Sequence, residues 1–158
     1  VVMVAAKFAW GMKVRYLGKH SLFKWPYGWF FKALGGIPVV RNRQDNLVGQ
    51  VVDLIASEEN ILLAIAPEGT RSYTPYWKTG FYHIAERSEL PLVLFYLDNK
   101  TKTIGFSDVF IVTGDLVADM QKISEFYADK EGFYPDKTSL VQTRKQYQLA
   151  EKANDNLK

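Results

Sequence analysis

The chain has 158 residues, 47% of them apolar, and a formal charge of +3, enough apolar material for one domain with a core. With no cysteine and two histidines, it has neither disulfides nor thiolate metal sites, and a histidine zinc site is not expected. In chain order, residues 1–10 read as the end of a helix stopped at Gly11, and 13–17 alternate as a strand does. A helical segment broken at Pro26 spans 21–34 and ends at Gly35-Gly36, and 37–40 is a short strand. Asp45 or Asn46 caps a helix through Ser57 that gathers Leu47, Val48, Val51, Leu54 and Ile55 on one face. Residues 61–66 are six apolar positions between Asn60 and Pro67 and predict a strand buried on both faces. Thr79 caps a helix over 80–87, and 92–97 is another apolar strand. Residues 103–106 and 109–112 are expected to pair antiparallel at a sheet edge, followed by helices over 116–127 and 139–150 and a frayed polar tail, 151–158. Strands alternating with helices predict an α/β fold, a single domain whose mostly parallel mixed sheet is flanked by helices. No apolar run exceeds six residues, far below the roughly 20 that a membrane span requires.

Charge is unevenly placed. Residues 1–50 carry eight Lys or Arg against one acid, whereas the remainder is acidic on balance. A basic half points to an anionic partner: a phosphorylated substrate, an anionic membrane or nucleic acid. Between those bases, six of the nine residues from Phe23 to Phe31 are aromatic. These rings can fill a core, stack bases, or sit with Lys24 at headgroup depth in a bilayer. Nucleic acid is not an expected partner, because the chain lacks an RNP-like strand, a zinc-finger pattern and a basic recognition helix. Nor does it carry the glycine-rich fingerprints of nucleotide sites. Membrane contact is assigned to Lys24, Trp25, Trp29 and Phe30.

The most informative stretch is Pro67-Glu68-Gly69-Thr70-Arg71-Ser72, which directly follows the 61–66 strand. Loops at strand ends are where α/β folds place their chemistry. Gly69 allows close backbone approach, Arg71 can grip a phosphate through two hydrogen bonds, and Glu68 can orient Arg71 or a substrate hydroxyl. An ordinary tight turn with a surface Glu–Arg pair is the competing reading.

Four blocks in order resemble the glycerolphosphate and lysophosphatidic acid acyltransferases over roughly residues 10–125. They are Gly35-Gly36-Ile37-Pro38-Val39-Val40-Arg41, the 67–72 stretch, Trp77-Lys78-Thr79-Gly80-Phe81-Tyr82-His83-Ile84-Ala85, and Leu90-Pro91-Leu92-Val93. That family's base is a His with an Asp five positions on. Here Trp25 lies five after His20 and Ser88 five after His83, so neither histidine fits. The expectation is therefore a truncated acyltransferase domain over 1–150 that begins just after the catalytic pair and is inactive alone. The alternative is a non-catalytic lipid- or phosphate-binding module of the same fold.

The resemblance implies a glycerol-3-phosphate acyltransferase-like fold and transfer of an acyl group from acyl-CoA or acyl-carrier protein, as co-substrate, to a hydroxyl of a lysophospholipid or glycerol phosphate. No other cofactor is expected. It assigns Arg41, Arg71 and Lys78 to the acceptor phosphate, Glu68 to orientation, and the Gly69 and Thr70 amides to the oxyanion. It also implies a cytoplasmic location, peripheral to the inner face of a membrane. His20 and His83 are expected to be structural, and Asp115 and Asp119 to complement a helix dipole.

Overall fold

The computed structural model describes residues 11, 13–39, 44–70 and 72–155. The predicted helical end over 1–10, Arg41 and Arg71 lie outside them. The fold is α/β, and the chain divides into two compact units, Val1–Ala66 and Pro67–Lys158.

The first unit is built on a parallel sheet of β1 (Val14–Lys19), β2 (Gly36–Val39) and β3 (Leu62–Ala64), with β1 in the centre. Tyr16 pairs with Gly36 on one side and with Ala64 on the other. Parallel neighbours need crossovers. The first is a 3-10 turn, His20–Phe23, followed by α1 (Gly28–Ala33), and the second contains α2 (Gln44–Ala56). The segment predicted as one broken helix is thus a turn and a short helix, with the cis Trp25–Pro26 peptide between them. Phe23 is the pivot of this crossover. A Cβ on Gly18 or Gly36 would meet its ring, and one on Gly28 would meet its backbone, so three glycines make room for it. On α2, Val51 and Ile55 are buried and Leu47, Val48 and Leu54 half-buried, as the helical spacing predicts. β3 is shorter and wetter than its six-residue apolar run suggests, and Leu62 is exposed.

The second unit pairs β4 (Leu92–Asp98) with β5 (Thr103–Phe110) antiparallel and packs α3 (Gly80–Ser88), α4 (Leu116–Tyr127) and α5 (Arg144–Asp155). The expectation of two strands over 103–112 is corrected here. Thr103–Phe110 is one strand whose partner is β4. Ser107 and Asp108 do not turn the chain, because a bulge at Val93–Phe95 absorbs the irregularity and Ser107 Oγ accepts the Leu94 N–H at 2.9 Å. The 99–102 turn is tied down by the Asp98 carboxylate, which accepts from the Lys100 N–H, the Thr101 hydroxyl and the Glu131 N–H. The Thr101 hydroxyl in particular holds the Asp98 pKa below the ordinary carboxylate value.

Phe81, Tyr82, Ile84 and Ala85 on α3 and Met120 and Ile123 on α4 are all buried. At the ends of these helices lies a polar cluster. The Tyr82 hydroxyl donates to Asp119 Oδ2 at 2.9 Å and accepts the Gly114 N–H at 3.0 Å. Asp119 also accepts from the Thr113 N–H and hydroxyl. Burial works against the Asp119 carboxylate, yet these donors hold its pKa below the usual value, while burial and the carboxylate push Tyr82 up to about 12. Asp115, by contrast, is the N-cap of α4 and accepts from the N–H groups of Val117 and Ala118.

The last helix is also corrected. It begins at Arg144 rather than 139 and runs through Asp155, into the stretch expected to fray. Its start is a capping box: the Thr143 N–H donates to Gln146 Oε1, and the Gln146 N–H donates to Thr143 Oγ1.

Candidate active site: the Pro67–Lys78 loop

The loop after β3 in sequence belongs to the second unit and is closed at its base, where the Lys78 N–H donates to the Pro67 carbonyl at 2.9 Å. Within it Gly69 has φ of +65°, a left-handed conformation that glycine adopts without penalty. The Lys78 side chain lies across this glycine, its Nζ 3.0 Å from where a Cβ would stand. Glu68 is half-buried beside it, and Thr70 is exposed, its Oγ1 accepting the Ser72 N–H in a local turn. A carboxylate, an ammonium and the backbone of a left-handed glycine therefore share one turn. That grouping suits a ligand carrying both an anion and a hydroxyl.

Of the residues predicted for chemistry, the structure brings Glu68, Gly69, Thr70 and Lys78 together; Arg41 and Arg71 lie outside the described residues. Thr79 is the N-cap of α3 by position, but its side chain makes no capping bond. His83 Nδ1 lies 3.4 Å from Glu86 Oε2, one turn along the same exposed helix face. His20 is exposed at the start of the 3-10 turn.

Reading by sequence missed the loop's neighbours from the C-terminal part of the unit. The Ser139 N–H donates to Glu68 Oε1 at 3.4 Å, the Trp77 N–H donates to the Gln142 carbonyl at 2.9 Å, and Gln142 Nε2 donates to the Pro75 carbonyl at 2.9 Å. Trp77 bridges Thr143 as a short parallel pairing, and its ring packs edge-on against Phe81 and Tyr127. Nothing local in the sequence marks these contacts, but the Thr143–Gln146 capping box was a readable sign that 139–143 is not helical. Two open hollows, of about 450 Å³ along β5 and α4 and about 350 Å³ between β2 and α2, include no residue of this loop.

In the first unit, the aromatic run divides. Phe23 and Phe31 turn inward and stack edge-to-face, whereas Trp25 is 93% exposed, Trp29 73% and Phe30 47%, with Lys24 and Lys32 exposed among them. No described helix is long and apolar enough to cross a membrane.

No curated protein and no solved structure matches the chain. The model of the family described as Acyltransferase matches residues 2–98, more than half of the sequence, and takes in the 67–72 loop and α3. The chain belongs to the Acyltransferase family.

Proposed function

We propose that this chain holds the phosphate-bearing acceptor of an O-acyl transfer, a lysophospholipid or glycerol phosphate, as part of a 1-acylglycerol-3-phosphate acyltransferase-like enzyme of phospholipid synthesis. The observation that carries the reading is the loop itself, where the Lys78 ammonium covers a left-handed Gly69 next to the Glu68 carboxylate. In this reading Lys78, Arg41 and Arg71 neutralise the acceptor phosphate. Glu68 cannot serve an anion; it accepts a hydrogen bond from an acceptor hydroxyl. The acceptor oxygen attacks the thioester carbonyl of acyl-CoA or acyl-carrier protein. A C–O bond forms, the C–S bond breaks, and the proton leaves with the thiol. The Gly69 and Thr70 amides face the developing oxyanion.

Neither histidine has the family's Asp partner, so these residues bind and orient without supplying the base. We expect the chain to bind glycerol 3-phosphate and to leave acyl-CoA intact. The second reading is a lipid- or phosphate-binding module of the same fold without turnover. A thioester-cleavage assay with lysophosphatidic acid, run on this chain and on one extended upstream, separates the two. Acyl transfer by the chain alone, abolished by His83→Ala, would overturn the assignment of roles. Failure to bind glycerol 3-phosphate would overturn the acceptor site.

The exposed rings Trp25, Trp29 and Phe30, with Lys24, form the face that meets a bilayer in this reading. Rings at headgroup depth and ammonium groups against anionic lipid would bring the site to its lipid substrate.

A further inference from the structure

We infer that the segment 139–143, beyond the part of the chain that the family model matches, is a strap that positions the acceptor site, with Ser139 as the positioning residue for Glu68. The inference rests on the acceptor reading above. It also explains why Glu68 has a fixed partner at all. A half-buried carboxylate on a glycine-containing turn would otherwise rotate freely, and a group that must meet a substrate hydroxyl needs a set direction.

The strap engages the loop at three places. At one end the Ser139 N–H donates to Glu68 Oε1 at 3.4 Å. Contacts of this kind are often long before ligand binds. In the middle Gln142 closes on both sides of Tyr76, its Nε2 donating to the Pro75 carbonyl and its own carbonyl accepting the Trp77 N–H. At the far end Thr143 lies against Trp77 and caps α5, and the Tyr147 ring on that helix packs 5.8 Å from Tyr76. Ser139 and Thr143 are both 4% exposed, while Leu140 between them points to solvent. The strap is thus seated at both ends on the stretch that carries Glu68 and Lys78. Because Glu68 engages the donor with Oε1, its other oxygen is left to the acceptor hydroxyl.

Removing the N–H without removing the chain tests the idea. In Ser139→Pro the donor is lost, and the preceding Thr138, at φ −72° and ψ 121°, already has the conformation that a following proline demands. Glycerol 3-phosphate and inorganic phosphate are titrated into the parent, Ser139→Pro and Ser139→Ala by calorimetry, with a thermal melt of each. Ser139→Pro is expected to bind glycerol 3-phosphate about five- to tenfold more weakly and inorganic phosphate within about twofold of the parent, since only the former places a carbinol hydroxyl beside its phosphate for Glu68. Ser139→Ala keeps the N–H and is expected to match the parent for both. Equal losses for the two ligands, or no loss, would overturn the positioning role. A parent that binds neither ligand overturns the acceptor reading instead. Should Ser139→Pro fail to fold, Gln142→Leu supplies the same comparison. There a loss confined to glycerol 3-phosphate supports the strap, and parental selectivity overturns it.

Discussion

Gly69→Ala separates what the loop's backbone does from what its cation does. At φ +65° an added Cβ costs about 1–2 kcal/mol, because it crowds the neighbouring carbonyl. It would also stand 3.0 Å from Lys78 Nζ and 3.3 Å from Cδ, closer than ordinary contact. Lys78 is exposed and flexible, so the clash is relieved by swinging the ammonium away. That movement is cheap in stability but removes a charge from the acceptor site. The melting temperature should therefore fall by about 2–8 °C from the backbone term. Phosphate affinity should fall about ten- to a hundredfold, the effect of a lost charge-assisted contact. Asparagine tolerates the left-handed region, so Gly69→Asn should regain most of the stability and little of the affinity. The assay is a cycle of Gly69→Ala, Lys78→Ala and the double variant, followed by calorimetry and thermal melts. The double variant should bind no more than about twofold worse than either single, since both remove the same ammonium. Additive binding losses, or unchanged affinity in Lys78→Ala, would refute the reasoning.

Arg71→Lys and Arg41→Lys should each weaken acceptor binding by about 1.5–3 kcal/mol, because an ammonium cannot replace a two-pronged guanidinium contact; near-parental kinetics for both in an active, extended protein would remove the clamp. Replacing Trp25, Trp29 and Phe30 together by Ser should lower sedimentation with anionic vesicles by about tenfold or more while the fold survives, since all three rings are exposed. Binding by the parent should weaken with salt, and a triple variant that unfolds would return these rings to the core. Tyr82→Phe should cost about 2 kcal/mol at neutral pH for the lost bond to buried Asp119. The Tyr82 pKa is raised to about 12 in the fold, so its contribution is complete below the unfolded value near 10 and is lost as pH climbs from there to 12. The gap between parent and variant in urea melts should accordingly close over that range, and a gap constant with pH would show that the pair does not stabilise the fold.

Local pattern was enough for some features whose partners are near in sequence, although the Thr143–Gln146 box, three residues apart, went unread. The α2 stripe and the glycine stop before β2 were legible because each depends on spacings of a few residues, whereas Asp115, read only as a dipole-complementing acid, is the N-cap of α4. The 107–108 pair was misread as a turn because Ser and Asp favour turns by themselves. Only a partner strand with a bulge reveals that Ser107 is standing in for a ladder bond. Asp119 looked like a dipole-complementing acid, yet the tyrosine that buries it is 37 positions away. The aromatic run could not be divided from composition either. The turn and short helix decide that Phe23 and Phe31 face inward while Trp25 and Trp29 do not. At the site, the motif named the loop and its cation, but the contact from Ser139 spans 71 positions and leaves no local trace.

The capping box at Thr143 has a bearing on how this protein can vary in length. It fixes the first turn of α5, and with it the register of the chain immediately upstream. Between α4 and Ser139 the path runs through exposed Phe133 and Tyr134 and a single 3-10 turn, Pro135–Lys137. Added or lost residues there change loop closure only slightly, since its entropy grows slowly with length. One residue inserted between Ser139 and Thr143 is a different matter. The cap would hold, and the slip would pass entirely to the Glu68 and Pro75 contacts. Among related chains, indels should therefore gather before Ser139, while the four-residue step from Ser139 to Thr143 keeps its length.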